Sequence, residues 1–148
     1  LDNVQAAVLN VKLSYLPRWI EHRRRNAALY RAGLQGIPNL RLPHFDESNQ
    51  LDIFQNYVIR TDARDLLRQH LANNGIETLI HWPKPMWKHE RLGIQDPGLP
   101  ETEKICKEVI SLPISAETTP EHVEIVVDSI RSFYAPMRHG AAAAGQFA

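Results

Sequence analysis

The sequence predicts an α/β fold of the α+β kind, in which a long kinked helix leads into a short sheet covered by helices. Three observations carry that reading. An amphipathic run opens the chain and meets Pro17, strand-like and helix-like blocks alternate between residues 39 and 112, and a capped apolar-faced helix occupies 119–134. With 148 residues, the chain has enough length for one real core and too little for two.

Residues 2–16 set Val4, Val8, Val11 and Tyr15 on one helical stripe, and Leu9, Leu13 and Leu16 widen it. So wide an apolar surface needs more than one neighbour. Pro17 lacks an N–H and should kink or divide the helix. The pattern resumes through Ile20, Ala27, Tyr30 and Leu34, and Gly36 offers a stop. Arg23, Arg24 and Arg25 span less than one turn and cannot share a face, so they are expected as solvated cations.

"NLRLP" (39–43) suits a short strand, 42–52 is polar enough for a loop, and "IFQNYVIRT" (53–61) supplies aromatic and β-branched residues for a strand. Asp62 should cap a helix over 63–74, with Asp65 near its positive end. The C-cap falls at Asn73, Asn74 and Gly75, with Gly75 left-handed. "IETLI" (76–80) is the next strand candidate, and strand direction stays open. A helix around 101–109 then sets Ile105, Cys106 and Val109 inward, Cys106 as a small core residue. "ISLPIS" makes a strand ended by Pro113. In "TTPEHVEIVVDSIRSFY", Thr118 has Glu121 at the capping-box position, whereas Thr119 would place Pro120 at N1. Val123, Val127, Ile130 and Tyr134 share one face, extended by Val126 and Phe133. The tail "MRHGAAAAGQFA" has little to bury and is expected to fray. The chain therefore divides into connecting helices (1–36), a small α/β domain (37–134) and a flexible tail (135–148).

Seventeen basic and seventeen acidic side chains cancel, which leaves no electrostatic footprint for nucleic acid. One cysteine excludes an intramolecular disulfide framework and a four-thiolate zinc site. No apolar run reaches membrane-span length, and the cationic block follows the apolar part of the amino end, unlike a signal peptide. A cytoplasmic protein without membrane or nucleic-acid partners is expected. The amino end lacks an initiator Met and starts inside a helical pattern, which suggests a piece of something longer.

No phosphate-binding glycine loop, dinucleotide fingerprint, zinc helix or nucleophile elbow occurs. The seven histidines have no recognisable metal spacing, so no metal is expected. Chemistry concentrates in "GIETLIHWPKPMWKHERLG" (75–93). There Lys84 and Lys88 contact an anion or keep the loop soluble, and Trp82 and Trp87 pack or face a ligand. His81, directly after a strand candidate, either contacts a ligand or is an ordinary loop histidine.

Five blocks taken in order, "LDNVQAAVLNVKLSYLPRW…RRRNAALY", "FQNYVIR", "RDLLRQHLANNGIETLIHWPKPMWKH", "ISLPIS" and "TTPEHVEIVVDSIRSFY", resemble the C-terminal part of the DegT/DnrJ/EryC1/StrS sugar aminotransferases over residues 1–134. The resemblance implies a fold-type-I, pyridoxal-phosphate-dependent homodimer that moves nitrogen from a donor such as glutamate to a nucleotide-linked keto sugar. In that family the lysine holding the cofactor, and an asparagine reaching a partner's cofactor phosphate, precede the block where this chain begins. Lys12, Lys84, Lys88, Lys104 and Lys107 do not take that lysine's place. No catalytic or cofactor-binding residue is therefore nominated. The isolated chain is expected to bind no cofactor and to be inactive without the large domain.

His81 matches the histidine of the family's I-H-Y-P-x-P block, and Trp82 replaces its tyrosine. Phe54 and Gln55 take the aromatic and histidine positions of a Y-H-x-Y/F-V pattern, and Gln55 can hydrogen-bond but not titrate. His81, Trp82, Gln55 and Lys84 are thus the expected substrate contacts. Two other readings are a non-catalytic truncated relative serving as an interaction domain and a sugar-nucleotide binding module.

Overall fold

The computed structural model describes residues 2–44 and 52–143. Helix α1 runs from Asn3 to Leu34. Asp2 caps it, its carboxylate accepting the Val4 N–H at 3.0 Å, and Gly36 ends it at φ +79°. Pro17 kinks this helix without dividing it. The two halves differ in surroundings. Val4, Val8, Val11 and Leu13 are exposed, whereas Asn26, Ala27, Tyr30 and Leu34 are buried.

The arginine run is not simply solvated. Arg23 Nη1 donates to the carbonyls of Phe54 (3.2 Å), Gln55 (2.9 Å) and Ile114 (3.2 Å), and Arg24 donates to that of Asp52 (3.3 Å). Only Arg25 keeps a surface role, paired with Glu21. A helix whose buried face carries Asn26, Ala27 and Tyr30 points Arg23 at the loop and sheet beside it, which have carbonyls to satisfy.

Strands β1 (Leu40–Arg41), β2 (Tyr57–Thr61) and β3 (Val109–Leu112) form one antiparallel sheet in that order. Tyr57 pairs with Leu112, and Ile59 with Ile110. Two expected strand stretches are shorter. Residues 53–56 stand outside β2 because Phe54 adopts φ +49°, which breaks the pleat. "IETLI" contributes only an isolated bridge between Leu79 and Ser111. Its first N–H, that of Ile76, is already bonded to Leu71 O at 2.9 Å in the helix cap, and Pro83 closes its exit.

Helix α2 spans Arg64–Asn73 and buries Leu67 and Leu71. Its N-cap is Ala63 rather than Asp62, and Thr61 Oγ1 accepts the Ala63 N–H at 3.2 Å. Gly75 closes the other end at φ +74°. Two 3₁₀ turns, Met86–Lys88 and Glu90–Leu92, lead to helix α3 (Pro100–Glu108). Helix α4 spans Pro120–Ala143, with Thr119 before it and the Thr119 hydroxyl accepting the His122 N–H at 3.4 Å. Thr118 instead serves the turn before it, its hydroxyl accepting the Ser115 N–H at 2.9 Å. The helix continues beyond Tyr134, and 144–148, like most of the loop expected at 42–52, lie outside the described residues.

The core joins one sheet face, through Tyr57, Ile59, Ile110 and Leu112, to α1, α2 and α4. Val123, Val127, Ile130 and Tyr134 all lie within it, as their spacing required. The sheet's opposite face carries Val58, Arg60 and Ser111 by strand alternation.

Candidate functional site

The sheet face away from the helices is where chemistry-bearing residues gather. Leu79 and Ser111 exchange both backbone hydrogen bonds (3.2 and 2.8 Å), which fixes the chain over the sheet just before it turns outward. Two residues later that segment delivers His81 and Trp82 to the rim of a cavity of about 390 Å³, walled by Asn56, Val58, Cys106 and Ser111. A second cavity, of about 560 Å³, lies on the other side of the Leu79 bridge and reaches Glu77, His122 and Ile125. Asn56, Leu79 and Ser111 line both, so the two form one groove with a shared waist.

His81 and Trp82, two of the four residues expected to contact substrate, therefore line the same cavity. Trp82 is 75 % exposed and does not pack into the domain. Gln55 and Lys84 are both exposed, and neither lines the groove. The Gln55 carbonyl accepts from Arg23 instead. Lys88 has a structural bond, its ammonium standing 2.7 Å from Glu103 Oε1 across the gap between the first 3₁₀ turn and α3. That bond holds the Glu103 carboxyl below its ordinary range and raises Lys88. Cys106 is buried as a core-like thiol, yet it also walls the groove.

The sequence pointed to neither Asn56 nor Ser111. The available signal was alternation: in "VISL", Ile110 and Leu112 claim the core, so the serine between them must face the opposite side. Also unforeseen was the polar clasp that seats α1. The Thr118 carbonyl accepts from His22 Nε2 (2.7 Å) and Asn26 Nδ2 (2.6 Å), and Tyr30 donates to Pro113 O (2.7 Å). Arg23 completes this clasp and holds the backbone just before Asn56.

No lysine or arginine lines either cavity. Pyridoxal phosphate needs a lysine amine at its carbonyl and strong donors for its phosphate. The residues of this groove do not fit that group, and no step is derived through it. They make a wall that can hydrogen-bond and stack, with His81 able to donate or accept. Among the described residues no cluster of metal-ligating side chains occurs, and no helix is long and apolar enough to cross a membrane.

Comparison with known proteins gives a consistent result. The model of the DegT/DnrJ/EryC1/StrS aminotransferase family matches residues 1–131. A pleiotropic regulatory protein of Geobacillus stearothermophilus is 37 % identical over 138 residues, covering 90 % of this chain and 37 % of that protein. The dTDP-3-amino-3,4,6-trideoxy-alpha-D-glucose transaminase of Streptomyces venezuelae is 35 % identical over 136 residues, covering 90 % and 36 %. The crystal structure of S. venezuelae DesV in complex with a ketimine intermediate superposes at TM-score 0.84 with 34 % identity, over 90 % of this chain and 37 % of that one. A DegT DnrJ EryC1 StrS aminotransferase from Brucella abortus gives 0.83 with 28 % identity, over 90 % and 36 %. The chain thus spans 36–37 % of the length of these relatives.

Proposed function

The chain belongs to the DegT/DnrJ/EryC1/StrS aminotransferase family, and from that premise we propose that it is the small C-terminal domain, with its connecting helix, of an enzyme that aminates a nucleotide-linked keto sugar. The observation that carries the reading is the groove itself. It brings His81 and Trp82 to one rim but contains no lysine, as suits one wall of a cleft completed by another domain. Pyridoxal phosphate and the lysine that holds it belong, on this reading, to a large domain, and glutamate is the amino donor. The ketimine in the S. venezuelae structure supports the cofactor, and the S. venezuelae transaminase's name supports the sugar. The exposed stripe through Val4, Val8, Val11 and Leu13 meets that large domain or the second subunit of a homodimer. A cytoplasmic setting goes with the free thiol of Cys106.

Within this proposal His81 orients the sugar and Trp82 covers it, while Lys84 and Gln55 contact the substrate from outside the groove. The isolated chain has no transaminase activity. The test is His81→Ala in the full-length parent. Sugar affinity and the sugar half-reaction should fall while the amino-donor half-reaction holds. Unchanged sugar affinity and sugar half-reaction would remove the role given to His81.

A second reading, a regulatory domain without catalysis, is favoured by the name of the G. stearothermophilus relative. Spectroscopic change of the parent's cofactor on adding an amino donor separates the two, because a non-catalytic relative would show none.

A further inference from the structure

Strands β2 and β3 separate abruptly, and Arg23 stands in the gap. Their last pair is Tyr57 with Leu112. Carried further, the same register would set Asn56 against Pro113, Gln55 against Ile114 and Phe54 against Ser115, and none of these pairs forms. Pro113 has no N–H to give the ladder. Arg23 Nη1 lies between the parted segments, 2.9 Å from the Gln55 carbonyl on one and 3.2 Å from the Ile114 carbonyl on the other. Its third bond, to the Phe54 carbonyl at 3.2 Å, holds a residue in a costly conformation. Phe54 is left-handed at φ +49°, a region unfavourable for a bulky side chain. Asp52 adds a second hold, its carboxylate accepting the Phe54 N–H at 2.7 Å and its carbonyl accepting from Arg24.

This turn changes where one ring goes. On a pleated strand residues 54, 56 and 58 share a face, and here that is the groove face, because Asn56 and Val58 line the groove. Phe54 is instead 2 % exposed in the core, its ring centroid 6.1 Å from that of Tyr57. Extended backbone would send the ring to the groove face opposite Ser115, which walls the cavity of about 560 Å³. We propose that Arg23 is a positioning residue for that larger cavity: from the connecting helix its guanidinium wedges β2 and β3 apart and holds Phe54 left-handed, so the ring stays in the core and the cavity stays open to substrate. That the substrate is a nucleotide-linked keto sugar rests on the function proposed above, whereas the wedge does not.

The test has two arms. In NMR of the isotope-labelled 148-residue chain, a left-handed residue gives a strong nuclear Overhauser cross-peak between its own N–H and Hα, because positive φ brings these protons together. Phe54 should show that cross-peak, Arg23→Met should weaken it, and Arg23→Lys should weaken it less. In the full-length parent, Arg23→Met should raise the KM of the sugar half-reaction, with a dTDP-linked 4-keto sugar as probe, about ten-fold. That is the population effect of one lost charge-assisted hydrogen bond, and the KM of the glutamate half-reaction should hold. Adding Phe54→Gly is the decisive step. Glycine keeps the left-handed turn without a clamp and removes the ring, so the double variant should recover most of the sugar KM although it is the less stable protein. An arginine that only stabilised the fold would make the double variant worse than the single one. A weak Phe54 cross-peak in the unaltered chain, one that Arg23→Met leaves unchanged, equal rises in both KM values, or no recovery with Phe54→Gly would each overturn the proposal. A parent that does not turn over the sugar counts against the proposed function alone, and the cross-peak then decides the wedge.

Discussion

Gly33→Ala should destabilise this protein, although the same change stabilises most exposed helices. Gly33 lies in the last turns of α1, where that helix meets α4. A methyl added there would stand 2.7 and 2.8 Å from the two γ carbons of Val127 and 3.3 Å from its Cβ. Val127 is buried and β-branched, so every χ1 well leaves at least one methyl against the new carbon. The helices must then separate, at a cost of about 1–3 kcal/mol for overpacking. Separation also strains the bond from Arg131 Nε to the Gly33 carbonyl, now 2.7 Å long. Against this, alanine gains up to about 1 kcal/mol of helix propensity. Because two methyls are involved, the upper part of the cost applies, and the net loss should be about 1–2 kcal/mol. Urea unfolding followed by circular dichroism measures it. The decisive arm is the double variant with Val127→Ala, in which the new methyl enters the space the valine vacates. Its loss should be smaller than the two single losses added, by about 1 kcal/mol or more. A neutral or stabilising Gly33→Ala, or strict additivity, would refute the close approach of α1 and α4.

Arg23→Met should cost about 2–3 kcal/mol in the same assay, because three carbonyls lose a cationic donor, and it should speed amide exchange at Gln55 and Asn56. Arg23→Lys should recover only part of this, since an ammonium does not reproduce the guanidinium's geometry. Acid should expose Glu108. Burial pushes its carboxyl up, but hydrogen bonds from Arg60 (3.1 and 2.8 Å) and the charges of Arg60 and Lys104 outweigh burial and leave it below the ordinary range. A lowered folded value means stabilisation that is full above the unfolded value of about 4.3 and is lost as pH falls through the folded one. Urea midpoints measured below about pH 5 should therefore fall less steeply in Glu108→Gln, which at neutral pH is the weaker protein.

What the sequence showed and what it hid follow from the range of the interactions involved. The inner face of α4, the caps at Gly36 and Gly75, and the Pro17 kink depend on neighbours within a few residues, and all were legible. Arg23 was misread because its partners lie 31, 32 and 91 residues away, so a run of three cations looked like a solvated surface. Strand propensity overreached at 53–56 and 76–80 for a related reason. It registers how well a side chain suits a pleated surface, not whether a partner strand lies alongside. At the candidate site, local pattern drew attention to His81 and Trp82, which line the groove. It did not point to Ser111, which the Leu79 bridge and the strand alternation together set in the wall of the groove, a property of the whole fold.

Exposed apolar residues separate what this chain holds by itself from what it presents. Tyr30, Ile59, Leu67 and Ile130 are fully buried, so the core needs no further cover. Val4, Val11 and Leu13 on α1 remain 69, 63 and 62 % exposed, and Leu79 and Trp82 at the groove 55 and 75 %. Burying one such side chain is worth about 1.5–3 kcal/mol, so covering either surface would be strongly favourable. The two surfaces differ in kind. The stripe on α1 is aliphatic and regular, which suits a permanent protein neighbour. The groove mixes an indole and an imidazole with a serine hydroxyl, which suits an occupant that comes and goes. On the proposed reading, the first surface holds the domain in the enzyme, and the second is what that placement makes useful.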